Sequence, residues 1–451
     1  MAMHNIIELL PLLMFPALAI CLFSGYPVAF VLGGIGLFFG LIGMGFDIFN
    51  FKEFFLINSR IFGGVVENIV LIAIPMFVFM GLILERSGVA RELLESLQSL
   101  TRRVPGGLAM SVTLLGTIMA ATTGIIGASV VMISLMAFPA MLAANYEKSF
   151  TSGTIAAAGT LGILIPPSIM LVIMGDLLSI SVTDLFMTAL IPGLMLALLY
   201  LIYIVFRCRK HFAINKNPMD EDKPLIGLIL RGFLPAIVLI TLVLGSIFAG
   251  YATPTEAAGV GAFGALLLAA TKRKITLVKL WEMCDETIKT SGMIFGIFVG
   301  ATAFSYVFRS LGGDDLIIGF MNSFTGGPWL VISVLMLIVF VLGFFFDWIA
   351  ITLIVLPIFT PILSALDLGG HVETAQILPW FAVLVAINLQ TSFLTPPFGF
   401  ALFYMKGVAP KSVRMNDIYK GVVPYIIIQL IGLVLVMAFP AIALWLPGIL
   451  N

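Results

Sequence analysis

Two apolar stretches of this chain, 230 residues apart, are each interrupted by adjacent prolines. The first reads "GTLGILIPPSIMLVIMGDL" (159–177) and the second "LQTSFLTPPFGFALFYMKG" (389–407). Proline has no backbone N–H, and its ring collides with the preceding helical turn. The residue before it is driven out of helical angles as well. Neither stretch can therefore be one straight helix. Around them, apolar runs of the ~20 residues that span a bilayer recur from one end to the other. Only 10% of the 451 residues are charged, against roughly 25% in soluble domains. These features predict an all-α polytopic membrane protein in which 150–181 and 378–410 are broken transmembrane helices. A membrane barrel would show short alternating segments, and none occur.

Several function classes fall away on composition. Formal net charge is zero, which gives no support to a nucleic-acid partner. Cys21, Cys208, Cys284 and the histidines His4, His211 and His371 stand far apart, without ligand spacing, so neither a metal site nor a disulfide framework is expected. No carboxylate, histidine or cysteine pair has catalytic spacing, and no enzyme is predicted. The phosphate-binding GxxxxGK[ST] pattern of primary pumps is absent. The run from Ile6 to Phe23 lacks a basic leader and a cleavage site, and reads as a retained span.

The polar stretch 207–231 divides the chain near its midpoint, and the two parts resemble each other in order. "SGYPVAFVLGGIG" (24–36) matches "GYATPTEAAGVGA" (250–262), and "ERSGVARELLESL" (85–97) matches "FRSLGGDDLIIGF" (308–320). Pro139 matches Pro361, and the proline pairs match each other, with all offsets between 222 and 230. Lys and Arg concentrate in cytoplasmic loops, so 207–231, with six of them, lies inside. Matching loops elsewhere carry opposite charge: Arg86, Arg91, Arg102 and Arg103 in one half face Asp314 and Asp315 in the other. The halves therefore read as inverted-topology repeats, 1–206 and 232–451, joined by a cytoplasmic linker at 207–231, with both termini outside. Within them, 105–142 and 327–365 enter and return on one side as re-entrant helical hairpins, tolerated only where they line a cavity or are buried in protein. The amphipathic stretches 46–60 and 275–289 suit helices lying in the interface, as arms or as plain connectors.

One proline pair alone would read as a kink. Two at equivalent positions, each beside a polar hairpin tip, read as half-helices whose free ends build an ion and substrate site. The first hairpin offers Thr122, Thr123, Gly124 and Ser129, and the first broken helix Gly159, Thr160, Gly162 and Ser168. The second half offers Gly343, Asp347, Thr352, Asn388, Gln390, Thr391 and Thr395. Small residues let carbonyls approach an ion, and hydroxyls add neutral oxygens, a donor set that suits Na⁺. Packing through small residues is the structural alternative. Thr123, Ser168, Asp347 and Thr395 are the substrate candidates and the others the sodium candidates. Asp347 is the only charge between Leu335 and Phe359; a helix-centre charge costs ~2.5–3.5 kcal/mol on insertion scales, so a wet cavity, a distant Arg or Lys, or protonation of the acid must compensate for it. Glu256, in Thr253-Pro254-Thr255-Glu256, reads as part of a helix cap.

"GYATPTEAAGVGA", "AGTLGILIPPSIMLVIMGDLLSISVTDLF" and "NLQTSFLTPPFGFALFYMKGVAP" closely resemble the large membrane subunit of tripartite ATP-independent periplasmic (TRAP) transporters, over nearly the whole chain. The resemblance implies a bacterial inner-membrane importer of organic acids such as C4-dicarboxylates or sialic acid. Na⁺ would be the coupling ion, with no other cofactor. It also implies an elevator-type fold, in which hairpins and broken helices move against a scaffold joined by the arms. A periplasmic substrate-binding protein and a small four-helix membrane subunit are the expected partners; no helices of that subunit precede Met1, so it is expected as a separate chain. A channel is the alternative function.

Overall fold

The computed structural model describes residues 2–123, 126–209, 227, 229–272, 275–316, 319, 327–396 and 399–450, and among them every regular element is helical. Seven helical segments among the described residues are long and apolar enough to cross a bilayer. The first half contains α1 (Ala2–Phe23), α2 (Val28–Gly45), α3 (Phe51–Ile61), α4 (Ala73–Arg86), α5 (Val89–Thr101), α6 (Gly107–Thr123), α7 (Ile126–Ala143), α8 (Lys148–Thr160), α9 (Ile169–Leu177) and α10 (Val182–Cys208). The second contains α11 (Leu234–Phe248), α12 (Pro254–Thr271), α13 (Leu277–Ser310), α14 (Gly327–Leu342), α15 (Trp348–Ser364), α16 (Ile377–Leu394), α17 (Phe400–Val408) and α18 (Met415–Ala438), and the chain closes with α19 (Ala441–Leu450). Most of the 207–231 linker lies outside the described residues.

Packing partners come in reciprocal sets. Helix α2 packs on α13 and α4 on α12; α7 packs on α17 and α15 on α9; α8 packs on α18 and α16 on α10. Exchanging the halves converts each pair into the other, which is how two-fold related halves pack. Glycines set the closest approaches. A Cβ on Gly36 would lie 3.1 Å from the Ala303 and Phe304 backbones, and one on Gly153 would fall on the Gly421 carbonyl. Small residues are what lets membrane helices come this close.

Local sequence explains the helix ends. Thr253 Oγ1 accepts from the Glu256 N–H at 3.3 Å, Glu256 Oε2 accepts from the Thr253 N–H at 2.8 Å, and Pro254 occupies the first turn. Glu256 is a capping residue. The arms differ from their sequence reading. In the first half the helix covers Phe51–Ile61, with a π turn at Phe62–Val66 and a 3-10 turn at Ile69–Ile72 before α4. The stretch 275–289 is no separate helix: it is the start of the 34-residue α13. Arg86 at the end of α4 holds that start through Glu282, at 3.5 Å, and Glu286. Exposed aromatics mark both arms, Phe55 at 67% and Trp281 at 78%, as befits an interface location.

Candidate functional site

The centre of the molecule is where the two broken helices cross. Helix α16 touches α8, the 3-10 turn after it, and α9, while α17 touches α7 and α8. In α8 every residue from Phe150 to Thr160 is buried. The span Thr374–Leu394 is 89% buried, against 39–56% for the other candidate spans. Both pre-break half-helices are thus wrapped in protein rather than lipid, and their Ser, Thr, Asn and Gln side chains face protein groups.

The prolines determine what is free at each break. Pro166 and Pro167 deny an i+4 N–H to the carbonyls of Gly162 and Ile163. Helix α8 accordingly tightens into a 3-10 turn at Leu161–Ile163 and stops. Ser168, extended ahead of α9, donates its Oγ proton to the Ile163 carbonyl at 2.6 Å, replacing the N–H that Pro167 lacks. The Gly162 carbonyl has no such substitute from its own helix. At the second break Pro396 and Pro397 deny the Ser392 and Phe393 carbonyls, and the Thr395 N–H turns back to Ser392 at 3.1 Å.

Hydroxyl protons are spent in the same way on local carbonyls. Thr160 Oγ1 donates to Ala157 at 3.0 Å, Thr391 Oγ1 to Ile387 at 3.0 Å, and Thr395 Oγ1 to Thr391 at 2.7 Å. A hydroxyl oriented like this keeps its lone pairs for another partner. Asn388 Nδ2 donates to the Met336 carbonyl at 2.6 Å, tying α16 to the second hairpin and leaving its amide oxygen as the remaining acceptor. Two candidates stand out. Thr352 Oγ1 and both amide atoms of Gln390 are buried with no hydrogen-bond partner among the described residues. Buried polar groups are nearly always paired; Ser134, Thr151, Tyr200, Ser291 and Gln429 share this state elsewhere, and what sets Thr352 and Gln390 apart is their place on the second hairpin and the second broken helix.

Two of the glycine candidates, Gly159 and Gly343, stand at close helix contacts. A Cβ on Gly159 would lie 2.5 Å from Val130 Cγ2, fixing α8 against α7, and one on Gly343 would fall on Ser392 Oγ, fixing the second hairpin turn against α16. Ser129 is buried on α7. Gly124 and the side chains of Thr122 and Thr123 lie outside the described residues.

Asp347 ends the turn of the second hairpin as the N-cap residue of α15, with extended backbone, half-buried, its carboxylate beside the Trp348 and Ile349 N–H groups. A helix N-terminus favours a negative charge, so the N–H groups of Trp348 and Ile349 offset part of the cost of burying Asp347. Sequence reasoning misses Tyr404 on α17. Its ring lies against Gly127, 3.0 Å from where a Cβ would stand, and its hydroxyl is within electrostatic reach of Asp347. Tyr404 therefore joins the start of α7 to the turn of the second hairpin. Its one signal in the sequence is that it alone, in the second broken helix, combines an aromatic ring with a hydroxyl.

Known proteins are similar to this chain. The chain is 31% identical to the C4-dicarboxylate TRAP transporter large permease protein DctM of Pseudomonas aeruginosa, over 85% of this chain and 88% of that protein. It is 27% identical to the sialic acid TRAP transporter large permease protein SiaM of Vibrio cholerae, over 93% and 98%. The crystal structure of the Alcanivorax borkumensis YdaH transporter superposes with a TM-score of 0.61, covering 88% of each chain at 14% identity, which is a likeness of fold. The family described as tripartite ATP-independent periplasmic transporter, DctM component, matches residues 15–442. A multi-pass, all-helical chain whose two broken helices cross between two hairpins, matched along nearly its whole length, belongs to that family, the large membrane subunits of TRAP transporters.

Proposed function

We propose that this chain imports an organic acid across the bacterial inner membrane, coupled to Na⁺, by an elevator movement of the hairpins and broken helices against α1–α4 and α11–α13. Both termini face the periplasm in this reading. The observation that carries it is the pair of neutral, buried oxygens without a partner among the described residues, Gln390 Oε1 on the second broken helix and Thr352 Oγ1 on the second hairpin, with the Gly162 carbonyl, denied its helical donor by Pro166, as a third neutral oxygen. Such a set matches a monovalent hard cation better than a divalent one, which takes carboxylates. Thr160, Thr391 and Asn388 present further oxygens on the same half-helices. Thr123, Ser168, Asp347 and Thr395, at the hairpin turns and the breaks, line the path of the acid, and Tyr404 joins them.

The relatives' names carry C4-dicarboxylate and sialic acid, so a carboxylate is the substrate class. A periplasmic substrate-binding protein delivers it, and a small four-helix membrane subunit completes the complex. Co-reconstitution of the three proteins in liposomes tests the reading. Uptake of succinate or N-acetylneuraminate is expected to rise sigmoidally with external Na⁺, to respond to membrane potential, and to vanish when K⁺ replaces Na⁺ on both sides. Full uptake without Na⁺, or flux that does not saturate, overturns it.

The N-cap position of Asp347 sharpens one substitution. The Asp347 side chain makes no capping hydrogen bond, and Asn suits an N-cap position as well as Asp does, so Asp347→Asn removes the charge without loss of a cap. The expected outcome is an unchanged melting temperature and an intact complex, with uptake reduced at least about tenfold, the equivalent of one charge-assisted hydrogen bond. Wild-type uptake across a range of substrate and Na⁺ concentrations would leave Asp347 a purely structural role.

A further inference from the structure

Away from the crossing, a cavity of about 750 Å³ opens between the end of α3, the C-terminal ends of α9 and α13, and α15. Its volume is that of a small-molecule site. Two guanidinium groups, Arg60 and Arg309, share its wall with a single carboxylate, Asp176. The carboxylate is engaged: Asn68 Nδ2 donates to Asp176 Oδ1 at 2.6 Å, while Asn68 Oδ1 accepts from the Val70 N–H at 3.0 Å. Arg309 is held in place by the sequence around it. Pro361 denies an i+4 N–H to the Pro357 carbonyl, and Arg309 Nη2 supplies the missing donor at 2.8 Å. Its Nε stands 3.8 Å from Asp314, which leaves Nη1 free of protein partners among the described residues. Arg60, in the last turn of α3, makes no ion pair among the described residues. Thr302 and Tyr306 add hydroxyls to the same wall.

We propose that this cavity is a second organic-anion site, separate from the crossing, where Arg60 and Arg309 receive a carboxylate before it reaches the broken helices. The proposal rests on the reading of the chain as an organic-acid importer. A guanidinium matches a carboxylate in shape and donor geometry. The arginines stand on α3 and α13, whereas Asp176 and Pro357 stand on α9 and α15, so the site straddles the two groups of helices that the elevator movement displaces.

A cysteine probe reads the site without transport. In the full-length chain with Cys21, Cys208 and Cys284 replaced by serine, Thr302→Cys places a thiol in the wall. The anionic reagent MTSES is expected to modify it roughly fivefold faster than the cationic MTSET, as a site of net positive charge dictates. Arg60→Gln with Arg309→Gln leaves Asp176 as the one charge of the wall and is expected to bring the ratio to one or below. Succinate, at matched ionic strength, is expected to slow MTSES in the arginine background and to have no effect in the double variant. A ratio that the arginine substitutions leave unchanged, or succinate protection that is absent or equal in both backgrounds, overturns the proposal. No Na⁺ gradient, binding protein or turnover enters this measurement. Its failure is therefore separable from failure of the import reading, which the uptake assay alone decides.

Discussion

Gly421→Val is expected to abolish assembly of the folded protein. Helices α8 and α18 cross with Gly153 against Gly421. A Cβ on Gly421 would fall on the Ser149 carbonyl, and one on Gly153 on the Gly421 carbonyl. Both obstacles are backbone atoms, so no rotamer change relieves them. Helix α8 has no room to retreat either, because Phe150–Thr160 are buried without exception. Overpacked cores typically lose ~1–3 kcal/mol when neighbours can adjust; here they cannot, and the loss is expected to exceed about 3 kcal/mol, a large part of a domain's ~5–15 kcal/mol. Fluorescence-detected size exclusion after heating should show aggregate in place of a monodisperse peak. Gly292→Ala on α13 is the control: nothing stands within 4 Å of its Cβ position, and alanine suits a helix better by roughly 0.5–1 kcal/mol, so that variant should melt at or above the wild-type temperature. If Gly421→Val melts like wild type, the two helices do not cross as described.

Gln390→Leu is expected to reverse sign with the ion present. An unpaired buried polar atom costs ~1–3 kcal/mol, and Gln390 buries two of them. In Na⁺-free buffer, leucine removes that cost and should raise the melting temperature. Adding Na⁺ should stabilise the wild type by about 2.7 kcal/mol at a hundredfold excess over Kd, with no effect of K⁺, and should leave Gln390→Leu unmoved. Coupled uptake by that variant should fall to background. If Na⁺ stabilises both proteins equally, the ion does not bind through Gln390.

What the sequence makes legible follows from which constraints are covalent. Pro166, Pro167 and Pro396 break their helices because a proline has no N–H in any surroundings, and the breaks fall where that predicts. Thr253, Pro254 and Glu256 form a cap from four consecutive residues, with no help from the rest of the fold. The first arm ends where Gly63, Gly64 and Asn68 supply breakers. In the second arm "ITLVKLWEMCDETIK" changes environment without changing conformation: polarity marks where a helix leaves the membrane, and with no breaker directly after Lys289 the helix runs on to Ser310. At Gly159 and Gly343 the sequence shows only that a side chain is missing; that the space belongs to Val130 and Ser392 emerges from the fold. Arg60, Arg309 and Tyr404 are the harder omissions. Each is an ordinary residue of its own helix and gains meaning only from a partner far along the chain, which local pattern does not encode.

Helix α13 has one further consequence, in mechanics. Its 34 residues extend roughly 51 Å at 1.5 Å each, well beyond the ~30 Å of a hydrocarbon core, so it acts as a stiff beam with no joint between its interfacial and spanning parts. The corresponding path in the first half is jointed twice, at Phe62–Val66 and Ile69–Ile72. A load applied by a thinner or thicker bilayer would be carried unbent by the beam and concentrated at those joints. The first half is jointed where the second is continuous, so a change of lipid chain length is expected to act on this protein at residues 62–72.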